Sequence, residues 1–439
     1  MENRVRVIGA GLAGCEAAYQ LSRRGVSVTL CEMKPQKYTP AHVSPSYAEL
    51  VCSNSLRSDA LTNAVGLLKE EMRRLGSLIM EAADSTRVEA GSALAVDRVK
   101  FSEYVTQKIR SDPNIEVSEG EVTSLGDGVT VVATGPLTSD AFSDYLGRYL
   151  GESYLSFFDA SSPIVDAQTL DMDKIYARSR YDKGEASYLN CPMTKEEYET
   201  FYNALISASL APLHDFDERE QKINVFEGCM PVEEMARRGT DTLRYGNLKP
   251  VGLPDPKTGK EPYAVVQLRR ENDEGTMYNL VGFQTHLTFG EQKRVFSLIP
   301  GLENAVFLRY GVMHRNTFMD SPKLLTPSYS LRRNENIFFA GQMTGVEGYV
   351  ESASSGLVAG VCAAMKAQGR DAPDFTPDTV IGSLAHYISD PNVYFFQPMN
   401  ANFGLITPLE NRVKGGKRAK YEAYAARSLE KIEELRKLI

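Results

Sequence analysis

The chain has 439 residues, of which 42% are hydrophobic and 24% charged, with no tryptophan and a formal net charge of −8. That length supports two or three domains around a sizeable core, and the acidic balance gives no global reason to expect nucleic-acid binding. No run approaches the ~18 uninterrupted apolar residues of a membrane span, and six cysteines without a C-x-x-C pair exclude zinc ribbons and dithiol motifs and point to reduced thiols.

The first residues, "MENRVRVIGAG", carry charges where a signal peptide needs an apolar core, so a cytoplasmic protein with no membrane partner is expected. Arg4 to Ile8 reads as a buried parallel strand and Cys15 to Arg24 as a helix closed by Gly25. Val26 to Cys31 reads as a second strand, with Glu32 at its carboxyl end, 18 residues after Gly14. Between the first strand and the helix lie Gly9, Ala10, Gly11, Leu12, Ala13 and Gly14, a G-x-G-x-x-G turn. Gly9 permits the tight turn, Gly11 lets a pyrophosphate approach the backbone, and Gly14 lets helix and strand pack closely. Glu32 would accept hydrogen bonds from a ribose diol, which favours FAD or NAD over a 2′-phosphorylated nucleotide.

Next comes "ELVCSNSL", where Cys52 precedes Ser53, Asn54 and Ser55, all turn and N-cap formers. "GLLKEEMRRLGSLIMEAAD" reads as one helical stretch with an apolar stripe from Leu67 to Ile79, and Val99 to Ser111 as another helix. "NIEVSEGEVTSLGDGVTVVATGP" alternates as short strands that end in the run Val129 to Ala133, followed by Thr134, Gly135 and Pro136. Residues 156–325 change character. "KEEYETFYNALISASL" looks helical, "YAVVQLRR" and "MYNLVGFQTHL" look like antiparallel strands, and Cys191 in "YLNCPMT" falls at an apparent turn. In "VFEGCMPVEEMARRG", Cys229 precedes Pro231, which suits the first turn of a helix through Arg237 and Arg238. "YGVMHRNTF" then offers His314 and Arg315 after an apolar strand. From 326 the first pattern returns: a strand from Ile337 to Ala340, a loop holding Gly341, Gly345, Glu347 and Tyr349, a helix of small residues, and a terminal helix from Lys417 to Leu438.

In this order the glycine turn, "ELVCSNSL", "ATGP", "FEGCMPVEEMARRG", "GVMHRNTF" and "FFAGQMTGVEGYVESASSG" resemble the folate- and FAD-dependent tRNA (uracil-5-)-methyltransferases, relatives of the larger flavoprotein that modifies the wobble uridine. The resemblance spans nearly the whole chain. Because the wobble-modifying protein carries a long C-terminal helical region, the length places this chain with the methyltransferases. The fold implied is α/β: a discontinuous, glutathione-reductase-like FAD-binding Rossmann-type domain (1–155 and 326–439) with an inserted α+β domain (156–325). The cofactor implied is FAD, with methylenetetrahydrofolate and NADH or NADPH as co-substrates. The partner implied is the T arm of tRNA, methylated at C5 of the T-loop uridine, with no metal and no obligate protein partner.

The resemblance makes Cys229 the nucleophile that adds to uracil C6, which turns the poorly nucleophilic C5 into an enolate carbon. It makes Cys52 an assisting thiol beside flavin and base. Gly135, Gly341, Gly345, Glu347 and Tyr349 are expected cofactor contacts, and Ser53, Asn54, His314 and Arg315 expected substrate contacts. Two alternatives stay open. A small-molecule FAD oxidoreductase explains the glycine turn and net charge equally well but not the two cysteine contexts, and the wobble-uridine relative shares most motifs. A tRNA binder also needs a basic face, for which the sequence offers only Arg73-Arg74, Arg237-Arg238, Arg332-Arg333 and the run from Lys414 to Lys420.

Overall fold

The computed structural model describes residues 4–439 apart from 40, 152–153, 161, 183–185, 187, 212–229, 273, 312, 394–395 and 412, with the backbone alone at 154–160 and 313–317. Strand β1 (Arg4–Ile8) buries Val5 and Val7 completely because layers cover both of its faces. It pairs in parallel with β2 (Ser27–Glu32) on one side and with Thr130–Val132 on the other. The full six-stranded order is Ser330–Leu331, Asn334–Phe339, Thr130–Val132, β1, β2, Ile115–Glu119, and only the first of these runs antiparallel. Ile8 is level with both Cys31 and Val132, and Val132 with Phe339. The glycine turn, Glu32, the Thr134-Gly135 loop and Gly341 therefore meet at the carboxyl edge, where open α/β sheets bind ligands.

Helix α1 (Leu12–Ser22) packs on the helix Tyr349–Ala367, and glycine sets the distance between them. A Cβ on Gly356 would lie 2.2 Å from the Ala13 carbonyl oxygen and one on Gly360 2.7 Å from that of Ala17. The small-residue pattern thus has its expected use.

A second, antiparallel sheet is ordered Tyr176–Ala177, Tyr188–Met193, Ala264–Arg270, Met277–Leu280, Ile164–Asp166, Phe307–Arg309. Helix Lys195–Ile206, closed by a Thr194–Glu197 capping box, and helix Phe289–Phe296 pack with it. The paired strands Tyr154–Ala160 and Met313–Met319 carry the chain out to this sheet and back. One core draws on residues 5–150 and 318–435, the other on residues 165–305.

Several local expectations need correction. The stretch read as one helix is two, Ala64–Arg74 and Leu78–Ser85, because Gly76 takes φ +73° and the Ser77 side chain caps the second. Cys191 lies fully buried within strand Tyr188–Met193 rather than at a turn. In "MYNLVGFQTHL" only Met277–Leu280 is strand. The helix after Cys229 runs only Val232–Arg237, with Pro231 as its N-cap and Arg238 as its C-cap. Among the described residues no helix is long and apolar enough to cross a membrane, and no cluster of His, Cys, Asp and Glu could hold a metal ion.

Candidate active site

A cleft of about 1150 Å³, part of it open to solvent, lies over the carboxyl edge of the parallel sheet. Gly9, Ala10, Gly11, Leu12, Ala13, Glu32, Gly135, Gly341 and Tyr349 all line it. The three turn glycines divide the work as their spacing implies. Gly9 takes φ +99°. A Cβ on Gly14 would sit 1.8 Å from the Gly9 carbonyl oxygen, so that position serves close packing rather than ligand contact. A Cβ on Gly11 would meet nothing within 4 Å. Gly11 is also the N-cap of α1 and supplies no side-chain cap, so the first amides of the helix face the cleft uncapped, as an anion site requires. The open cradle fits a pyrophosphate.

The Glu32 carboxylate is buried at the end of β2 and accepts from the amide of Ala10 at 2.7 Å and that of Lys34 at 2.9 Å. It fixes the glycine turn while facing the cleft, and its remaining lone pairs suit a ribose diol. Tyr349 and Ser352, in the first turn of the Tyr349–Ala367 helix, also line the cleft, and the Gly348 N-cap leaves that helix end uncapped as well. Two positive helix ends thus converge on one space. Gly345 and Glu347, by contrast, lie outside the lining. Gly345 takes φ +82° against the Phe396 ring, and buried Glu347 accepts from Gln342 Nε2 at 2.8 Å.

The cysteine loop stands at the mouth, next to the lining residues Glu49 and Val51. The Tyr349 hydroxyl accepts from the amide of Cys52 at 2.6 Å and that of Ser53 at 3.2 Å. Burial pushes the tyrosine's pKa up, so the hydroxyl stays protonated while it holds both amides. From the other side the second sheet grips the same loop. Arg269 donates to Asn54 Oδ1 at 3.0 Å and to Ser53 Oγ at 2.6 Å. Asn54 Nδ2 donates to the carbonyls of Val96 at 3.1 Å and Arg270 at 2.8 Å. Asn54 is fully buried, so its side chain fastens the loop instead of facing a substrate. Arg98 adds a further tie, donating to the Leu50 carbonyl at 2.7 Å and lying 2.9 Å from the Glu271 carboxylate.

Burial raises the thiol pKa of Cys15 and Cys191 and pushes that of Cys362 up to about 12, which makes all three inert. Half-buried Cys52 has no such enclosure. Cys229 lies outside the described residues. His314 and Arg315 are in strand Met313–Met319, opposite Asp159 and Phe158, and their side chains are outside the described set. Sequence reasoning missed Arg269, Arg98 and the lining residues Lys34, His42 and Ser352. Only their long-range contacts with the cysteine loop mark the first two, and no local pattern does.

Of the expected basic clusters, the arginine pairs are largely spent on internal partners. Arg73 pairs with Asp84 and Asp59, Arg74 with Glu70 and Glu433, and Arg237 with Glu234. Arg332 donates to the Ser389 carbonyl, and Arg333 lies over the Tyr149 ring.

The family described as glucose inhibited division protein A matches residues 4–371. A relative from Anoxybacillus flavithermus, named Methylenetetrahydrofolate–tRNA-(uracil-5-)-methyltransferase TrmFO, is 60% identical and covers 98% of this chain and 98% of its own length. One of the same name from Bacillus licheniformis is 58% identical over the whole of both chains. Among solved structures, Aquifex aeolicus GidA in its form I crystal superposes with a TM-score of 0.71 at 19% identity, covering 99% of this chain and 76% of that one. That likeness concerns the fold alone.

Proposed function

This chain belongs to the glucose inhibited division protein A family and, within it, to the methylenetetrahydrofolate–tRNA (uracil-5-)-methyltransferases, and from that membership we propose that it converts the T-loop uridine of tRNA to ribothymidine. Methylenetetrahydrofolate gives the carbon and NADH or NADPH the electrons. FAD, when bound, would carry the one-carbon unit and supply the reducing equivalents that leave it as a methyl group.

The chain's own residues have separable duties in this reading. The uncapped start of α1 holds the pyrophosphate and Glu32 the ribose. Cys229 as thiolate adds to uracil C6, and the displaced electron pair moves onto the C4 carbonyl oxygen as an enolate. C5 then bonds to the electrophilic carbon, and removal of the C5 proton breaks that carbon's bond to its carrier, leaving an exocyclic methylene on the ring. A hydride equivalent drawn from NADH or NADPH makes it a methyl group, and the enolate so formed expels the thiolate to restore the C5–C6 double bond. In this reading Cys52 takes or relays the C5 proton.

The observation that carries the reading is the Tyr349 hydroxyl. It holds the Cys52 amide next to the cleft-lining Val51, while Arg269 of the second sheet holds the adjoining Ser53 and Asn54, so the cysteine loop is fixed between the dinucleotide cleft and that sheet. A simple flavin oxidoreductase has no use for a thiol held there. The test is adduct trapping. A T-arm RNA with 5-fluorouridine at the target cannot lose the C5 substituent and should remain bonded to the enzyme, with the adduct mapping by peptide mass spectrometry to Cys229. No adduct, or one on another residue, overturns the assignment.

A further inference from the structure

We propose that Phe289 and Tyr310 form a stacking shelf for one unpaired base of the RNA substrate, outside the dinucleotide cleft. The inference rests on the RNA reading above and gives that substrate a place on the surface.

The rings form a ladder that climbs from the second core to solvent. Phe296 is fully buried. Phe307 lies 6.4 Å from it, Tyr310 stacks on Phe307 at 5.4 Å and 11°, and Phe289 stacks on Tyr310 at 4.9 Å and 14°. The last ring is 55% exposed, although an aromatic ring ordinarily ends such a series inside a core. The ladder is also held in advance of any ligand. Fully buried Gln292 donates to the Gly311 carbonyl and accepts from the Gly311 amide, both at 2.8 Å, which pins the backbone beside Tyr310. Thr288 caps the helix that begins at Phe289.

The surroundings favour a nucleotide over a second copy of the chain. Arg309, next to Tyr310, makes one hydrogen bond among the described residues, to the Ala41 carbonyl at 3.1 Å, so other guanidinium N–H groups remain for a phosphate. Ala41 adjoins the cleft-lining His42, so Arg309 ties the strand before Tyr310 to the rim of the dinucleotide cleft. Burial, with the Arg98 charge second, lowers the pKa of Arg309, a strain that an arriving anion relieves. The chain flanking Cys229 is fastened to the segment that leads into Phe289: the Ala211 amide donates to the His286 carbonyl at 2.8 Å and the Val232 amide to that of Gln284 at 2.7 Å. With the arginine pairs largely occupied internally, stacking supplies affinity that an acidic surface cannot.

Because the chain has no tryptophan, Phe289→Trp installs a single tryptophan on the shelf, excited selectively at the red edge of protein absorption. Its emission should be quenched saturably by undermodified tRNA. Phe289→Ala should raise the Kd and KM for tRNA ~5–150-fold, with the flavin spectrum and the KM for methylenetetrahydrofolate unchanged, and Phe289→Tyr should restore the tRNA values. An unchanged tRNA KM in Phe289→Ala overturns the shelf. So does emission in Phe289→Trp that responds to protein concentration and sedimentation state but not to RNA, which would mark a contact between copies. If wild-type protein forms no ribothymidine while the fluorophore still reports RNA, the proposed reaction fails and the shelf stands.

Discussion

Gly11→Ala and Gly14→Ala, three residues apart in one turn, are expected to fail in opposite ways. At Gly11 the backbone has φ −75° and ψ −171°, open to any residue, and a new Cβ meets nothing within 4 Å. The folding penalty is that of a weaker N-cap, ~0.5–1 kcal/mol. The methyl group does enter the space of a pyrophosphate over the first amides of α1. Losing one charge-assisted hydrogen bond there costs ~1.5–3 kcal/mol, or ~10–150-fold in the Kd for FAD. At Gly14 the helix interior gains ~1 kcal/mol from alanine's propensity, yet the Cβ would lie 1.8 Å from the Gly9 carbonyl oxygen. That atom is backbone in a tight turn and cannot rotate aside, so overpacking at the upper end of the usual range, ~3 kcal/mol or more, wins and the fold loses ~2 kcal/mol or more net. Urea unfolding of the apoprotein by circular dichroism and flavin titration by fluorescence quenching read the two quantities separately. Equal destabilisation by both substitutions, or wild-type FAD affinity in Gly11→Ala, would refute this division of labour.

Three further outcomes follow from the same geometry. Cys229→Ala abolishes methyl transfer while the flavin absorbance stays intact, and loss of the flavin would mean that the cysteine is structural. Arg269→Met strips Ser53 Oγ and Asn54 Oδ1 of their shared donor, at a cost of ~1–3 kcal/mol. It should slow transfer and alter the alkylation rate of Cys52, read by site-resolved peptide mass spectrometry, with FAD affinity unchanged and Arg269→Lys partly restored; an unaltered Cys52 rate contradicts it. Buried Glu71 accepts from the amides of Val380 and Ile381 and from Ser428, and burial raises its pKa from 4.5 to about 7. The folded value lies above the unfolded one, so its contribution is full below pH 4.5, declines by ~3 kcal/mol at most up to about pH 7, and is flat above. Glu71→Gln should remove that slope, and an unaltered slope in urea unfolding would place the titration elsewhere.

The parts legible in the sequence are those whose cause is local. The G-x-G-x-x-G turn announces both its strand and its helix because each glycine answers a constraint a few residues away. Glu32 is visible for the same reason, at a fixed interval along one βαβ unit. Small residues along Tyr349–Ala367 announce close packing, though not that α1 is the partner. The break at Gly76-Ser77 was also written locally, as a left-handed glycine followed by a capping serine, but the apolar stripe continues across it and hides it. The fastening of Cys52 could not be read, because Tyr349 is 297 positions away and Arg269 is 216 from Ser53. Asn54 illustrates the cost: its type suggested a substrate contact, whereas burial between the carbonyls of Val96 and Arg270 makes it a tie. The internal pairing of the arginine clusters was hidden in the same way, since Arg74 finds Glu433 only in three dimensions.

The central claim is a one-carbon transfer to the T loop, and one measurement reaches it directly. Purified protein with bound flavin is incubated with undermodified tRNA, NADH or NADPH, and methylenetetrahydrofolate labelled in its one-carbon unit, and the digested nucleosides are resolved by mass spectrometry. The account predicts label in ribothymidine from the T loop and nowhere else in the tRNA. Unlabelled T-loop uridine despite bound flavin, or label at the wobble position, would contradict it.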